Sequence, residues 1–257
     1  MVEFEHFPSL IPAEMVITFT SSREFGHEVQ KAPQLSEPSE KRNRAGKSLL
    51  EQAAGCGTID GTLPRREHFI LKLNTLGIAH KIIAERVQPG NLCIDATAGR
   101  GHDTAFLCEL VGPQGRVLAM DIQQQAVDST RALLEEKGLD QIGTVVLDSH
   151  SNIDRYAQPE SVDCITFNFG YLPGGDHTIF TTPATSIPAI EKGLSLLRPG
   201  GLMSLCVYYG GDSGFEEKDA LMEYFRTIDS RQYTVLITEF ANRPNNPPIP
   251  VFILKQI

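Results

Sequence analysis

From residue 68 onward, short apolar runs alternate with longer amphipathic stretches. That alternation restricts the chain to one broad architecture. Leu92–Asp95, Arg116–Asp121, Thr144–Leu147, Cys164–Phe167, Leu202–Tyr208, Tyr233–Phe240 and Ile249–Leu254 read as strands. Asp103–Leu110, Gln123–Lys137, Pro183–Leu197 and Phe215–Ile228 read as helices. Phe69, Leu73, Leu76, Ala79, Ile82 and Ile83 mark one more over His68–Val87, which Gln88-Pro89-Gly90 ends. Strands separated by helices require right-handed crossovers, hence an α/β, doubly wound and mostly parallel seven-stranded sheet covered on both faces. Only Asn242–Pro248 separates the last two strands, so they should form a hairpin and leave one strand antiparallel.

The first 67 residues follow another pattern and read as an N-terminal extension, partly disordered or linker, ahead of a folded domain over 68–257. Residues 31–48, KAPQLSEPSEKRNRAGKS, are rich in Pro, Ser and charge. Lys41, Arg42, Arg44 and Lys47 form a basic cluster there, a solvated tail in the plainest reading and a phosphate-contacting arm in the sharper one. No apolar run approaches the length of a membrane-spanning helix, and MVEFEHFPSL lacks the layout of a secretory signal. No two of the five cysteines are spaced as C-x-x-C, and no metal site is expected. Cys93, Cys108, Cys164 and Cys206 fall in apolar segments and read as small buried hydrophobes of a reducing compartment. Residues 1–75 carry a net charge of −1 and the remainder −8, which excludes a uniformly basic nucleic-acid-binding surface.

In such a sheet ligands bind beyond the carboxyl ends of the strands. The first strand leads into Asp95-Ala-Thr97-Ala-Gly99-Arg100-Gly101-His-Asp103. Gly99 and Gly101 permit a tight turn and close approach of the backbone to a ligand, and Asp103 is placed to cap the next helix. A dinucleotide fingerprint would carry a third glycine where Thr104 stands and no acid where Asp95 stands. A carboxylate at Asp95 repels a pyrophosphate and attracts the ammonium group of S-adenosylmethionine. The plain reading is a tight turn. Asp121 closes the second strand about 20 residues later, where an acid can accept both hydroxyls of a ribose, with Gln123 beside it. Asp148, Ser149 and His150 leave the third strand at the expected adenine edge. From the fourth strand comes Asn168-Phe-Gly-Tyr171-Leu-Pro-Gly-Gly-Asp176-His177. Asn168 followed by aromatic Tyr171 resembles the [Asn/Asp]-Pro-Pro-[Tyr/Phe] loop of amino-group methyltransferases. An amide oxygen can accept amine N–H bonds and aim the lone pair, while an aromatic ring stacks on a flat base.

Residues 76–257 resemble the YtqB-like class I S-adenosylmethionine-dependent methyltransferases. The resemblance is carried by DATAGRGHDT (95–104), MDIQQQAVDST (120–130), DSH (148–150), NFGYLPGGDHTIFT (168–181), LRPGGLMSLCVYYG (197–210), EEKDAL (216–221) and NRPNNPP (242–248). That family includes the tRNA 5-aminomethyl-2-thiouridine methyltransferase. The resemblance implies N-methylation of the aminomethyl group at the tRNA wobble position, with S-adenosylhomocysteine (SAH) as the second product. It implies Asn168, Tyr171 and Asp176 as catalytic residues. Asp95, Thr97, Gly99, Arg100, Gly101, Asp103, Asp121, Gln123, Ser149 and His150 would contact the cofactor. Asp176, His177 and His150 are candidate proton acceptors for a substrate ammonium. The tRNA anticodon loop is the implied partner, with Arg243, Asn242, Asn245 and Asn246 as a candidate RNA-facing rim. Arg100 stands where the family has Asn, His177 where it has Lys, and Gly211 where it has His. Arg243-Pro244 follows the plant-type tail, which sets a plastid beside the default cytoplasm; a homodimer is a separate candidate assembly. Competing readings are a methyltransferase for ribosomal RNA, a small amine or a protein side chain, an NAD-dependent oxidoreductase, and an idle binding module.

Overall fold

The computed structural model describes residues 74–170, 180–209 and 211–257. They lie in the compact unit Arg65–Ile257. The expected extension over 1–67 lies outside the described residues, as do Tyr171, Asp176, His177 and the start of the helix expected over His68–Val87.

Seven strands form one sheet: β1 (Leu92–Asp95), β2 (Arg116–Asp121), β3 (Gly143–Leu147), β4 (Val162–Phe169), β5 (Leu197–Val207), β6 (Tyr233–Ile237) and β7 (Ile249–Lys255). Their spatial order is β3-β2-β1-β4-β5-β7-β6. β1 through β5 pair in parallel, and β7 runs antiparallel to both β5 and β6, as the short final connection required. The helices are α1 (Thr75–Arg86), α2 (His102–Val111), α3 (Gln124–Glu136), α4 (Pro183–Leu196) and α5 (Gly211–Thr227), plus a 3₁₀ turn over His150–Arg155 that the sequence reading missed. β6 stops at Ile237, three residues short of the expected Phe240, and α5 starts at Gly211 rather than Phe215.

Side chains alternate across each strand, so every strand feeds two cores. Cys93, Cys164, Leu202 and Phe252 face α1, α2 and α3, where Ala79, Ile83, Leu107, Cys108 and Leu134 complete one layer. Ile94, Ile165, Met203, Val251 and Ile253 face the 3₁₀ turn, α4 and α5, where Ile153, Ile190, Leu194, Leu221 and Phe225 complete the other. The strands are apolar on both faces because both are covered. Cys93, Cys108, Cys164 and Cys206 are buried and free, as their apolar setting predicted.

Two contacts fix the ends of the connection between β4 and α4. The Gly170 N–H donates to Thr181 Oγ1 at 2.8 Å, and the Thr181 N–H donates to the Gly170 carbonyl at 3.0 Å. Behind them Glu217 of α5, only 3% exposed, accepts from the hydroxyls of Thr181 (2.7 Å) and Ser186 (2.6 Å). Burial pushes the Glu217 carboxyl up, and the two hydroxyls work against that shift. At the same edge of the sheet, where Ile249 pairs with Val207, the Thr75 hydroxyl donates to the Pro248 carbonyl at 2.6 Å, tying the start of α1 to the turn before β7.

Candidate active site

The carboxyl ends of β1, β2 and β4 converge, and their exit residues bond to one another. Gly99 and Gly101 shape the turn after β1 with φ of +55° and +82°. A Cβ on Gly101 would stand 2.9 Å from Thr130 Cα, so α3 packs against a backbone that only glycine leaves bare. Asp121 spans the loops: its Oδ2 accepts the Gly99 N–H at 3.0 Å and its Oδ1 the Gln123 N–H at 2.9 Å. Gln123 is the N-cap of α3 but makes no side-chain cap bond.

The two acids of the first turn differ in burial and in partners. Asp95 was expected to face a ligand's ammonium, yet it is wholly buried. Its carboxylate accepts the Thr104 hydroxyl at 2.6 Å and the Thr97 N–H at 3.3 Å. Burial, with the charge of Asp103 adding to it, pushes the Asp95 carboxyl up to about 7. Thr104 replaces the third glycine of a dinucleotide turn because its hydroxyl satisfies this buried acid. Asp103 was expected to cap α2; Gly101 holds that position instead, and Asp103 sits inside the first turn. Its Oδ2 accepts the Asn168 side-chain amide at 2.7 Å, and its Oδ1 lies 2.7 Å from His80 Nε2 of α1. Burial would raise the Asp103 carboxyl, but the hydrogen bonds from His80 and Asn168 outweigh it and hold it below the usual carboxylate range. The acid opening toward the β4 exit is therefore Asp103, with a side chain 17% exposed.

Asn168 is gripped once more. Its backbone N–H donates to Thr97 Oγ1 at 2.7 Å, so Thr97 joins the exits of β1 and β4. Its neighbours Phe167 and Phe169 point to the opposite core, where their rings stack at 5.1 Å. His150 belongs to that second core. Its ring meets Phe167 and Phe169 edge-on, and burial pulls the imidazole down to about 4, so it is neutral near pH 7. It is a core histidine rather than the proton acceptor considered above. Ser149 caps the 3₁₀ turn, its hydroxyl accepting from the Ser151 N–H at 3.2 Å. Asp148 accepts from Asn152, Tyr156 and the Ser149 N–H, which together hold its carboxyl below the usual range. Arg100 is exposed at the tip of the glycine turn. Arg243 lies far along the chain, its guanidinium 4.2 Å from the centre of the Phe240 ring, beside Asn245 and Asn246, both with positive φ.

Among the described residues, two buried polar side-chain atoms have no hydrogen-bond partner: Asn168 Oδ1 and His150 Nε2. A buried polar atom left unpaired costs on the order of 1–3 kcal/mol. The exits of β4 and β3 each hold one. The Asn168 atom, beside Asp103 and the glycine turn, fits a site completed by a ligand; the His150 atom lies among the rings of the opposite core. Sequence reading missed His80, Thr104 and Glu217. His80 borders the buried Ala79–Ile83 stripe of α1, and a titratable ring at the edge of an apolar helix face is the signal that could have found it.

Residues 117–254, more than half of the chain, match the family model described as "Putative rRNA methylase". The chain belongs to this family. The relatives agree with that placement. The chain is 35% identical over 189 residues to the chloroplastic tRNA (mnm(5)s(2)U34)-methyltransferase of Arabidopsis thaliana, which covers 70% of this chain and 68% of that protein. A solved protein from Clostridium thermocellum bears the family's description and is 44% identical, with a TM-score of 0.69 over 71% of this chain and 97% of its own. A Streptococcus mutans protein solved in complex with SAH is 35% identical, with a TM-score of 0.65 over 71% of this chain and 98% of its own. The fold is that of the class I methyltransferases, with the seven strands and the one antiparallel strand expected from the sequence. Among the described residues, no helix is long and apolar enough to cross a membrane.

Proposed function

We propose that this family member transfers a methyl group from S-adenosylmethionine to the aminomethyl nitrogen of 5-aminomethyl-2-thiouridine at the tRNA wobble position. The observation that carries the reading is Asn168 Oδ1, a buried acceptor with no partner at the mouth of β4, among residues that fit the cofactor. The name of the Arabidopsis relative supports the choice of nucleoside.

The cofactor, when bound, supplies an electrophilic methyl on a sulfonium. The chain's residues then have three tasks. Asp121 and the Gly99–Gly101 turn hold the adenosine, Asp121 through the lone pairs its two backbone bonds leave over. Asp103 offers negative charge beside the β4 exit, where an ammonium group would be drawn. Asn168 accepts a hydrogen bond from the substrate amine and aims its lone pair; orientation of this kind supplies on the order of 7 kcal/mol in favourable cases. The amine must arrive deprotonated, because a protonated nitrogen has no lone pair to donate. The sequence gives stacking on the base to Tyr171 and proton acceptance to Asp176. A wobble base is unpaired and enters a pocket at modest cost. That suits an acidic protein, with Arg243, Asn242, Asn245 and Asn246 as an RNA-facing rim. The chloroplast of the Arabidopsis relative makes a plastid the first compartment to examine.

The test is transfer of labelled methyl to tRNA carrying 5-aminomethyl-2-thiouridine, followed by nucleoside analysis. Label in 5-methylaminomethyl-2-thiouridine supports the proposal. Label in ribosomal RNA, offered in parallel because of the family's description, or turnover surviving ribonuclease, would reassign the substrate.

A further inference from the structure

We propose that His80 is a positioning residue that acts through Asp103 to hold the Asn168 amide with its oxygen free for the substrate amine. This rests on the reading of Asn168 given above. A primary amide has a donating end and an accepting end of nearly the same shape, and little distinguishes them until a neighbour does. If the NH₂ end faced the reacting amine, two donors would meet and the lone pair would not be aimed. A carboxylate only accepts, so Asp103 Oδ2 at 2.7 Å selects the Asn168 Nδ2 end and leaves Oδ1 over.

Asp103 must itself be fixed to make that selection. Its second oxygen is taken by His80 Nε2 at 2.7 Å. The His80 ring lies flat on Phe106, with centroids 4.0 Å apart and planes within 13°. Asp103 and Phe106 stand three residues apart on α2, on one face of that helix. A single histidine of α1 therefore grips α2 at two points, by its ring and by its nitrogen. The Asn168 backbone is held separately by Thr97, so the side-chain torsion is the freedom that His80 and Asp103 remove. Asp103 stays ionised, which suits an acceptor that orients and ill suits a base that must take up a proton.

Two substitutions separate the hydrogen bond from the packing. H80F keeps a flat ring for Phe106 but has no donor; H80Q keeps a donor near the Nε2 position but loses the ring. Turnover is read at saturating S-adenosylmethionine and tRNA, and cofactor affinity by calorimetry. The Asn168 side-chain amide signals are read in ¹⁵N-asparagine-labelled protein and assigned by their absence in N168A. For H80F we expect turnover to fall about tenfold or more, with cofactor affinity within about twofold of the parent, and the Asn168 amide signals to move. H80Q should keep most of the turnover and the parent's amide positions. Equal loss in both variants would reduce His80 to packing, and a loss confined to cofactor affinity would make it a cofactor residue; either result overturns the inference. If the parent enzyme fails to methylate the wobble nucleoside, the substrate reading falls, while the amide signals still decide whether His80 controls Asn168.

Discussion

Asp103 and Asn168 lie on different elements 65 residues apart, yet the carboxylate of one accepts the amide of the other at 2.7 Å. The bond orders the amide without consuming its oxygen. Replacing Asn168 by Ala should lower turnover about 100-fold, some 2.7 kcal/mol of barrier, and leave S-adenosylmethionine affinity nearly unchanged. N168D should do worse, because two carboxylates would stand in hydrogen-bond contact and one must hold a proton. Steady-state kinetics and calorimetry on both variants check this.

Asp121 accepts one backbone N–H on each oxygen. D121N puts an NH₂ group against one of those donors, loosening the turn and removing an acceptor for the ribose. Cofactor affinity should fall by about 10- to 100-fold, with the melting temperature lowered only slightly. Equal loss of turnover at saturating cofactor would show that the turn also serves the chemical step.

Gly101 adopts a φ of +82°, and a Cβ there would press on Thr130 Cα at 2.9 Å. G101A therefore combines backbone strain with a contact against main chain that cannot swing away. Destabilisation of about 2–4 kcal/mol is expected in urea titration. G90A, at another positive-φ glycine with open space around it, should cost less, about 1 kcal/mol.

Two buried groups give opposite pH dependences. Asp95 is raised from its ordinary 3.8 to about 7, so between those values the folded protein holds a proton that the unfolded chain has lost. Its contribution to stability falls as pH rises through that window. His150 is lowered from 6.5 to about 4, so in that window the unfolded chain holds the extra proton, and its contribution falls as pH drops. The two slopes oppose each other between about pH 4 and 6.5, so each variant should shift the parent's profile in its own direction. D95N should expose the loss of stability toward acid and H150F the opposite slope, each by at most about 1.4 kcal/mol per pH unit. Denaturant titrations across that range test both.

Glu217 is buried and bonded to two hydroxyls, one of which holds the Gly170 N–H. E217Q can keep both bonds with the Ser186 hydroxyl reversed and should stay near parental stability. E217A leaves Thr181 and Ser186 without their acceptor and should lose about 2–3 kcal/mol, with lower turnover, because the ends of the β4–α4 connection lose their support.

The sheet was readable because its strands are apolar on both faces and its helices amphipathic, and that pattern survives in a linear sequence. The alternation of strands and helices and the final hairpin followed from it, and so did the places of Asp121 and Asn168 at strand ends. Boundaries were less legible. Ser-Asn-Ile-Asp after His150 has no run long enough to announce a 3₁₀ turn, and Gly211 and Gly214 disguised the start of α5. The least legible feature was the division of labour between Asp95 and Asp103. Both are acids flanking a glycine turn, and only burial, set by packing against α2, tells the satisfied one from the presented one. His80 was hidden for a related reason: its partner is 23 residues away on another helix, a distance along the chain that periodicity does not encode.

The bond from Thr75 to the Pro248 carbonyl then acquires a wider meaning. Helix α1 precedes every strand, yet it carries the histidine that steadies the reacting centre, and its first residue is moored to a turn near the opposite terminus. Drift in the proline-rich segment before β7 would tilt α1 and be felt at Asn168 without any residue there being altered. A fragment trimmed to begin at Leu92 would lose both the histidine behind Asp103 and the Ala79–Ile83 stripe that covers Leu202 and Phe252.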